Sequence, residues 1–420
     1  MLNKIFYSFL SIVFISSFQI IALLISSQKA TPEELGLLTM LISINAFIFL
    51  FVDFGLSNYF LYKKNLDRES TKEVKRINFI ISLFVLFIIL LSGVCLFFMG
   101  YSAVFYASAI LTGINSIFLS KSRIERVQLQ NQDDFKRIFS LDFYSRFFGI
   151  AILLFLNYLT NINVVIIYLI SILSVNLFAW VLVFRIEKKG VFTYGHSKNS
   201  NIVNFCLPQG SNSVINFLSQ NIDLFIIASV AGLHVSGVYG VIKIVSTKAL
   251  QLYMPTLLKV YTPLIIKEDN SEASYLKLIF VISMVSSVTY SLFIIFDEFI
   301  LFNIFNLDDS KIVLSAFSFY CLYSYLRSIC MPIGILVTKS GKTIIGLYYT
   351  LAQLIVLSVV LFIFSDNLVQ ITFSLFIYQL ILLIPHWHFL MKRYLKLRFL
   401  SYHFYALLPL TFPLALMEFK

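Results

Sequence analysis

The feature that most constrains this chain is a succession of apolar segments, each long enough to cross a lipid bilayer as a helix. A transmembrane helix needs about 20 predominantly apolar residues, and the 420-residue sequence contains twelve candidate segments of this kind. The candidates are 5–27, 36–61, 77–98, 102–120, 138–158, 163–184, 205–230, 236–258, 278–296, 312–337, 343–364 and 368–391. The sequence therefore predicts an all-α integral membrane protein with about twelve transmembrane helices.

Composition agrees with this class and excludes several others. The chain is 59% hydrophobic and only 13% charged, whereas an ordinary globular protein is about 25% charged. The cysteines and histidines show no metal-ligand spacing, so neither a metal site nor a cofactor is expected. Residues 340–343 (SGKT) resemble the end of a phosphate-binding loop, but Leu336 stands where the first glycine is needed, which argues against ATP hydrolysis.

The distribution of Lys and Arg predicts the orientation of the chain. With a cytoplasmic N-terminus, the inner connections carry 25 Lys and Arg residues and the outer connections carry two, Lys29 and Lys311. Such an excess on the cytoplasmic side is typical of multi-pass membrane proteins. The net charge of +11 therefore reflects topology, and its dispersal over separate loops excludes a nucleic-acid-binding surface.

A weak internal repeat divides the chain into two halves. Residues 33–38 open the second span and residues 233–239 open the eighth, each by a short outer turn, a glycine and a long helix. We predict an N-terminal six-helix lobe over 1–198 and a C-terminal six-helix lobe over 199–398. Residues 399–420 form an apolar segment, either interfacial or an atypical extra span. Parallel repeats of this kind usually place a substrate path between the halves.

Length, span number and four short segments give the chain a family resemblance. It resembles the O-antigen flippases, which are the polysaccharide branch of the multidrug/oligosaccharidyl-lipid/polysaccharide (MOP) exporter superfamily. The segments are 31–36 (TPEELG), 51–56 (FVDFGL), 237–239 (GVY) and 340–342 (SGK). The resemblance implies two six-helix lobes around a hydrated cavity. It also implies movement of an undecaprenyl-pyrophosphate-linked oligosaccharide from the cytoplasmic to the outer leaflet of the bacterial inner membrane.

Seven charged residues lie inside the predicted spans. They are Asp53, Asp142, Arg146, Asp223, Lys243, Lys248 and Arg327. A charge at the centre of a transmembrane helix costs about 2.5–3.5 kcal/mol on insertion scales, so such side chains face a partner or water. Asp142 and Arg146 have the i,i+4 spacing of an intrahelical ion pair. In the alternative interpretation, Arg146 lines a cationic vestibule at the inner side.

Two further groups of deep charges have both a structural and a functional interpretation. Asp223 and Lys243 lie on consecutive antiparallel spans, each about 10 Å below the outer surface. They form either a direct ion pair or a relay in which Asp223 carries a coupling ion, H⁺ or Na⁺. Asp53 is a second coupling candidate, with structural pairing as its alternative. Lys248 and Arg327 are candidate substrate contacts, with pairing to an unidentified carboxylate as the alternative.

Two neighbouring spans also carry polar stripes at helical spacing. On span seven the stripe comprises Gln209, Asn212, Asn216, Gln220 and Asp223. On span eight it comprises Ser236, Gly240, Lys243, Thr247 and Gln251. Such faces either bond to other helices or line water. Because amides suit sugar hydroxyls and a lysine suits a diphosphate, we predict that Asn212, Asn216, Gln220 and Lys243 contact substrate in the cavity.

Two other functions compete with flipping. An ion-coupled multidrug or cation exporter of the same superfamily would need an acidic cavity, but the deep charges are four basic and three acidic. A membrane polymerase or ligase would need a large outer loop, and the longest outer connection, 297–310, is short. We therefore expect a transporter rather than an enzyme. Its expected partners are the lipid-linked oligosaccharide, membrane lipids, H⁺ or Na⁺, and polysaccharide polymerase and chain-length proteins.

Overall fold

Every regular element in the described part of the chain is helical. The computed structural model describes residues 2–57, 59, 68–100, 102–132, 134–188, 202–267, 271–307, 310–332, 335, 343–364, 367–388 and 399–418. The first six long helices are α1 (Leu2–Ser27), α2 (Pro32–Asp53), α3 (Arg68–Phe98), α4 (Ala103–Asn131), α5 (Phe135–Leu159) and α6 (Val164–Lys188). The prediction of an all-α fold is confirmed.

Six more long helices and a short helical segment follow. The long ones are α7 (Ile202–Val230), α8 (Gly232–Lys267), α9 (Ser271–Ile295), α10 (Lys311–Cys330), α11 (Thr343–Ile363) and α12 (Leu368–His386). A π-helical turn, Phe299–Ile304, separates α9 from α10. The C-terminal segment consists of α13 (Phe399–Leu407), the 3₁₀ turn Leu408–Leu410 and α14 (Thr411–Glu418). Its membrane-spanning or interfacial character stays a prediction.

The long helices correspond to the predicted spans, although their hydropathy is uneven. Among the described residues, ten helices contain a stretch that is long and apolar enough to cross a membrane, and α11 contains a shorter one, Tyr348–Ile363. Among its described residues, helix α8 contains no such stretch, because Lys243, Lys248 and several hydroxyl residues interrupt it. A helix whose apolar pattern is interrupted is therefore also the one that carries two of the predicted site lysines.

The turns near residues 100 and 160 fall where the sequence predicts them, whereas spans two and four end at other residues than expected. The chain turns at Gly100, whose positive φ of 76° suits glycine, and the next turn lies between Leu159 and Val164. Span two was expected to run unbroken to residue 61. Instead α2 ends at Asp53, because Phe54 and Gly55 take φ values of 32° and 80°. The helical conformation resumes immediately beyond this kink.

The chain forms two compact units whose boundaries run through helices. Unit 1 comprises residues 1–30 and 40–217, and unit 2 comprises residues 31–39 and 218–420. The first turns of α2 thus belong to unit 2, and the first half of α7 belongs to unit 1. The predicted division into lobes at residue 198 stays a prediction, and these units differ from it in both segments.

Unit 1 is built on packed pairs of antiparallel helices. Helix α3 packs against α4, α4 and α5 both pack against α6, and α1 lies against α5. Apolar side chains from α3, α4, α7 and the segment after the kink form one core cluster. That cluster consists of Leu56, Tyr59, Val74, Ile124, Val127, Ile202 and Cys206. The segment beyond the kink is therefore held by burial of its apolar residues.

Unit 2 is organised around α10. This helix is mostly buried and contacts α8, α9, α12 and α14. The C-terminal segment packs on it through hydrogen bonds as well as apolar contacts. The Tyr325 hydroxyl donates to the carbonyl of Ala406 at 2.7 Å, and Ser287 on α9 donates to the carbonyl of Pro409 at 2.6 Å. The C-terminal segment is thus an integral part of unit 2.

The first turns of α2 and α8 pack against each other inside unit 2 with almost no space between their backbones. A Cβ atom on Gly36 would lie 2.1 Å from the carbonyl oxygen of Leu233, and one on Gly237 would lie 2.1 Å from that of Pro32. A Cβ on Gly240 would lie 2.4 Å from the hydroxyl of Thr39. Small residues permit such close approach between membrane helices. This contact explains why the two repeated turns both contain glycine.

We expect the substitution Gly237→Ala to destabilise unit 2, because the added methyl group overlaps main-chain atoms that cannot rotate away. Overpacking of this kind typically costs about 1–3 kcal/mol. Thermal unfolding in detergent measures the effect. Gly93→Ala is the matched control, since its methyl group would lie 3.0 Å from the Cβ of Ala109 and in ordinary contact, at 3.9 Å, with the carbonyl oxygen of Tyr106. Equal melting temperatures for the two variants would contradict the prediction.

Candidate functional site

The deepest charged pair of unit 2 joins α7 to α8. One oxygen of the Asp223 carboxylate accepts a hydrogen bond from Lys243 Nζ at 2.6 Å, and the other accepts from the Tyr239 hydroxyl at 2.5 Å. Lys243 Nζ also donates to the backbone carbonyl of Gln220 at 2.8 Å. Asp223 is 2% exposed and Lys243 is 7% exposed. The direct ion pair, one of the two interpretations drawn from the sequence, is present.

A row of tyrosines extends from this pair to Arg327. The ring of Tyr239 packs edge-on against Tyr320 with centroids 5.5 Å apart, and Tyr320 packs against Tyr323 at 5.3 Å. The Tyr323 side chain lies beside Arg327, one turn further along α10. We call this group the Asp223 cluster: Asp223, Tyr239, Lys243, Tyr320, Tyr323 and Arg327. It contains two cations and one carboxylate.

Helical spacing brings these side chains together. Tyr239 and Lys243 are four residues apart on α8 and share a face. Tyr320, Tyr323 and Arg327 recur at intervals of three and four on α10. Tyrosine combines an apolar ring with a hydroxyl group, so tyrosines on this face of α10 can surround a charge that apolar residues could not. The predicted site residue Arg327 thus lies in one cluster with Asp223 and Lys243.

The α8 stripe divides into two parts with different surroundings. Ser236 and Gly240 are both buried, and Gly240 lies against Thr39 of α2, so this part of the stripe follows the helix-packing interpretation. Further along, Lys248 is half-buried and donates to the side-chain oxygen of Gln251 at 2.8 Å. The amide is a neutral partner, so this bond does not reduce the positive charge of the lysine.

The α7 stripe is described only in part. Asn216 is half-buried and belongs to unit 1, whereas Gln220 is exposed and belongs to unit 2. The side chains of Gln209 and Asn212 lie outside the described part of the structure. Gln220 takes part in the Asp223 cluster through its backbone carbonyl, which accepts from Lys243. The predicted contacts of Asn212, Asn216 and Gln220 with substrate stay predictions.

Unit 1 contains a second carboxylate with more than one cation. The Asp142 carboxylate accepts from Arg126 of α4 at 2.9 Å and from Arg146, one turn along α5, at 3.0 Å. The hydroxyl of Ser11 on α1 also donates to it. Asp142 is only 2% exposed. This Asp142 cluster, consisting of Ser11, Arg126, Asp142 and Arg146, again carries two cations and one carboxylate.

The sequence analysis missed Arg126 because it placed this residue in an inner loop beginning at residue 121. Helix α4 instead continues to Asn131 and is 29 residues long. A helix of about 20 residues already crosses the bilayer, so the additional turns extend beyond the apolar span and carry Arg126 to Asp142. One indication of this longer helix was available: the polar segment 121–131 is long and contains no proline to end the helix.

Asp53 lies at the kink that ends α2. Its carboxylate accepts from Nε of Arg123 on α4 at 3.1 Å and from the hydroxyl of Ser57. The Arg123 guanidinium lies over the ring of Phe49, 4.5 Å from its centroid. The structural pairing considered for Asp53 is therefore present, and the coupling role stays a proposal.

Three asparagines form a ladder across α2, α4 and α6 inside unit 1. Asn115 donates to the side-chain oxygen of Asn45 at 3.1 Å, and Asn176 donates to that of Asn115 at 2.8 Å. Each lies twelve or thirteen residues into its helix, about 18–20 Å along the axis. Sequence reasoning missed this ladder because the three amides stand alone in separate apolar segments. The only indication of the ladder was that the three asparagines lie at nearly the same distance from the starts of their helices.

Among the residues that the structure describes, no group of three or more His, Cys, Asp or Glu side chains is placed to hold a metal ion.

Comparison with known structures defines the class of the protein. Over 94% of this chain and 95% of the other, it superposes with a TM-score of 0.64 at 14% identity on the MATE multidrug transporter DinF-BH. A multidrug resistance MATE family transporter of the MOP superfamily, in an outward-facing conformation, matches with a TM-score of 0.58, 14% identity and coverage of 99% and 96%. The chain is a multi-pass membrane protein with the MOP fold.

Sequence comparison gives the family. Residues 30–266 match the model of the polysaccharide biosynthesis protein family, and the chain belongs to this family. It is also 22% identical over 364 residues to an uncharacterized membrane protein in the cps region of Klebsiella pneumoniae, covering 84% of this chain and 74% of that protein. The predicted relation to polysaccharide-branch proteins of the MOP superfamily is confirmed.

We expect Asp142→Asn to reduce the stability of unit 1 strongly. The substitution leaves Arg126 and Arg146 without their shared counter-ion in a site that is largely closed to water. Breaking a buried ion pair from one side costs about 3–5 kcal/mol. Unfolding in a denaturing detergent measures the loss. Asp134→Asn is the control, since Asp134 pairs with Arg137 in a more exposed position and should change stability by less than about 1 kcal/mol. Similar losses in both variants would contradict the prediction.

Proposed function

We propose that this protein is a flippase of the bacterial inner membrane that moves an undecaprenyl-pyrophosphate-linked oligosaccharide to the outer leaflet by alternating access. The substrate would be an O-antigen or similar surface-polysaccharide repeat unit. Membership of the polysaccharide biosynthesis family and the MOP fold support a transporter that acts in this process. On this proposal the protein is not a catalyst. It would operate alongside the polysaccharide polymerase and chain-length proteins.

The observation that carries the proposal is the excess of cations in the buried clusters of both units. The Asp142 cluster and the Asp223 cluster each set two basic side chains against one carboxylate. Asp53 is balanced by Arg123. Basic groups in low-dielectric surroundings attract anions more strongly than they would in water. A diphosphate-linked headgroup has the complementary charge.

Within this proposal, individual residues take different parts. Lys248 and Arg327 contact the diphosphate, since both are half-buried cations. Lys243 and Arg146 add positive potential from their ion pairs. Asn212, Asn216 and Gln220 bond to sugar hydroxyls. The polyprenyl chain stays in lipid, because it is as apolar as the bilayer interior.

The Asp223 carboxylate is the proposed site of ion coupling. A proton on Asp223 would remove its negative charge and release Lys243, which could then interact with the diphosphate. Na⁺ would act in the same way by competing with Lys243 for the carboxylate oxygens. The Tyr239 hydroxyl, 2.5 Å from Asp223, keeps the carboxylate in place while its partner changes. Asp53 is the second coupling candidate because it combines a carboxylate with a backbone kink.

The alternative function is an ion-coupled exporter of drugs or other cations. Its support is the fold, which this chain shares with multidrug transporters. A cationic substrate would require a carboxylate that is not neutralised by the protein, and Asp53, Asp142 and Asp223 each bind at least one cation. The surroundings of these three carboxylates therefore favour the flippase.

The location of the lipid-linked repeat unit in cells tests the proposed function. Deleting the gene should cause the repeat unit to accumulate in the inner leaflet and should remove the surface polysaccharide. A plasmid with the wild-type gene should restore export, and Lys248→Ala should restore only a small part of it at equal membrane abundance. Normal surface polysaccharide in the deletion strain would refute the proposal. Raised resistance to cationic dyes on overexpression, without any export defect, would favour the alternative.

Charge reversal tests the pairing of Asp223 with Lys243. We expect Asp223→Lys and Lys243→Asp each to abolish export, because each places two like charges within about 3 Å in a buried site. The double variant restores an opposite-charge pair and should recover more export than either single variant. Export is measured as surface polysaccharide per amount of protein in the membrane. No recovery in a double variant that inserts normally would argue against the pair as a functional unit.

A further inference from the structure

A groove of about 350 Å³ lies between α5 and α6, and no residue of the Asp142 cluster lines it. It is at the end of unit 1 that the distribution of Lys and Arg predicts to be cytoplasmic. Two arginines, two hydroxyl residues and three aliphatic side chains line it. They are Arg137, Ser140, Leu141, Tyr144, Leu182, Arg185 and Ile186. The groove is thus basic on one part of its surface and apolar on the other.

The two guanidinium groups approach the groove from different helices. Arg137 lies in the first turn of α5, and Arg185 lies in the last turn of α6. Arg137 bonds to Asp134 at 2.7 Å, but a guanidinium has five N–H donors, so most of its donors stay available. Among the described residues, no carboxylate forms an ion pair with Arg185. Two planar donor groups of this kind match the geometry of a phosphate.

The neighbouring acid on α6 does not neutralise the groove. Glu187 lies close to Arg185 in sequence, yet its carboxylate bonds to Lys75 of α3 at 2.9 Å. Glu125 on α4 bonds to the same lysine, also at 2.9 Å. The acids at this end of α4 and α6 are therefore engaged on the side that faces α3, which leaves positive potential on the side that faces α5.

The rest of the groove suits a lipid rather than a free ion. Leu141, Leu182 and Ile186 belong to or pack on one apolar cluster of unit 1. The Tyr144 side chain is 55% exposed, and tyrosine is favoured at the level of lipid headgroups. Free phosphate would gain nothing from these surfaces. A lipid could place its phosphate between the arginines and an acyl chain along Tyr144 and Leu182.

We propose that this groove binds an anionic phospholipid of the cytoplasmic leaflet, with the headgroup phosphate held by Arg137 and Arg185. The cytoplasmic leaflet is the source of negative surface charge that basic residues near the membrane recognise. The bound lipid anchors the ends of α5 and α6, the former of which carries Asp142. This site is separate from the proposed substrate contacts and does not depend on the flippase proposal.

Fluorescence quenching by brominated lipids tests the proposal on the full-length protein. The chain has two tryptophans, so Trp180→Phe and Trp387→Phe give a silent background. Tyr144→Trp then places one fluorophore in the groove while keeping an aromatic side chain. The protein is reconstituted in phosphatidylcholine vesicles that contain either brominated phosphatidylglycerol or brominated phosphatidylcholine. Quenching is measured against the mole fraction of the brominated lipid.

We expect brominated phosphatidylglycerol to quench half of the fluorescence at about a tenfold lower mole fraction than brominated phosphatidylcholine. Arg137→Gln combined with Arg185→Gln should remove this preference. Lys72→Gln combined with Arg76→Gln removes the same charge from exposed positions on α3 and should leave the preference unchanged. If the double arginine variant does not fold, Arg185→Gln alone should reduce the preference by at least about half.

Three results would overturn the proposal. The first is equal quenching by the two lipids in the parent protein. The second is a phosphatidylglycerol preference that persists in the folded arginine variant. The third is displacement of brominated phosphatidylglycerol by undecaprenyl diphosphate at about a tenfold lower mole fraction than by unlabelled phosphatidylglycerol. That result would make the groove a site for the polyprenyl diphosphate, not for a membrane phospholipid.

Discussion

Compensation of charge inside an apolar helical bundle is the constraint on which the rest of this structure depends. A carboxylate or guanidinium in hydrocarbon is far less stable than in water, so each deep charge determines what must pack beside it. Asp142 requires α1, α4 and α5 to meet, because Ser11, Arg126 and Arg146 all bond to it. Asp223 imposes the same requirement on α7 and α8 through Lys243 and Tyr239. The charged clusters therefore fix helix neighbours that apolar packing alone would leave interchangeable.

The sequence predicts the helices well, and it predicts their partners only where spacing determines them. Asp142 and Arg146 lie on one helix at i,i+4, so the fixed geometry of the helix makes their contact predictable. Arg126 reaches the same carboxylate from another helix, which depends on how far α4 extends and how it is rotated. The kink at Phe54 and Gly55 could not be predicted from the sequence either. The positive φ values of these two residues depend on how the segment that follows them packs.

Polar stripes were a less reliable guide than single charges, for a physical reason. A stripe of small and hydroxyl residues serves close helix packing and water contact equally well, and on α8 the stripe passes through two different surroundings. Ser236 and Gly240 are buried, with Gly240 against the start of α2, whereas Lys248 and Gln251 lie beyond that contact. The role of the α10 tyrosines could not be predicted from the sequence. A tyrosine in an apolar segment cannot be distinguished from a core residue until the carboxylate beside it is known.

The sharing of α2 and α7 between the two units has a consequence for how the chain is assembled. Residues 31–39 belong to the unit otherwise formed by 218–420, and the first half of α7 belongs to the other. A C-terminal fragment made from the second half of the gene would thus lack the turns of α2 that pack against Gly237 and Gly240. During synthesis, the first turns of α2 cannot form this contact until α8 has been made. Completion of unit 2 is therefore a late, long-range event, because it joins residues 31–39 to residues 218–420.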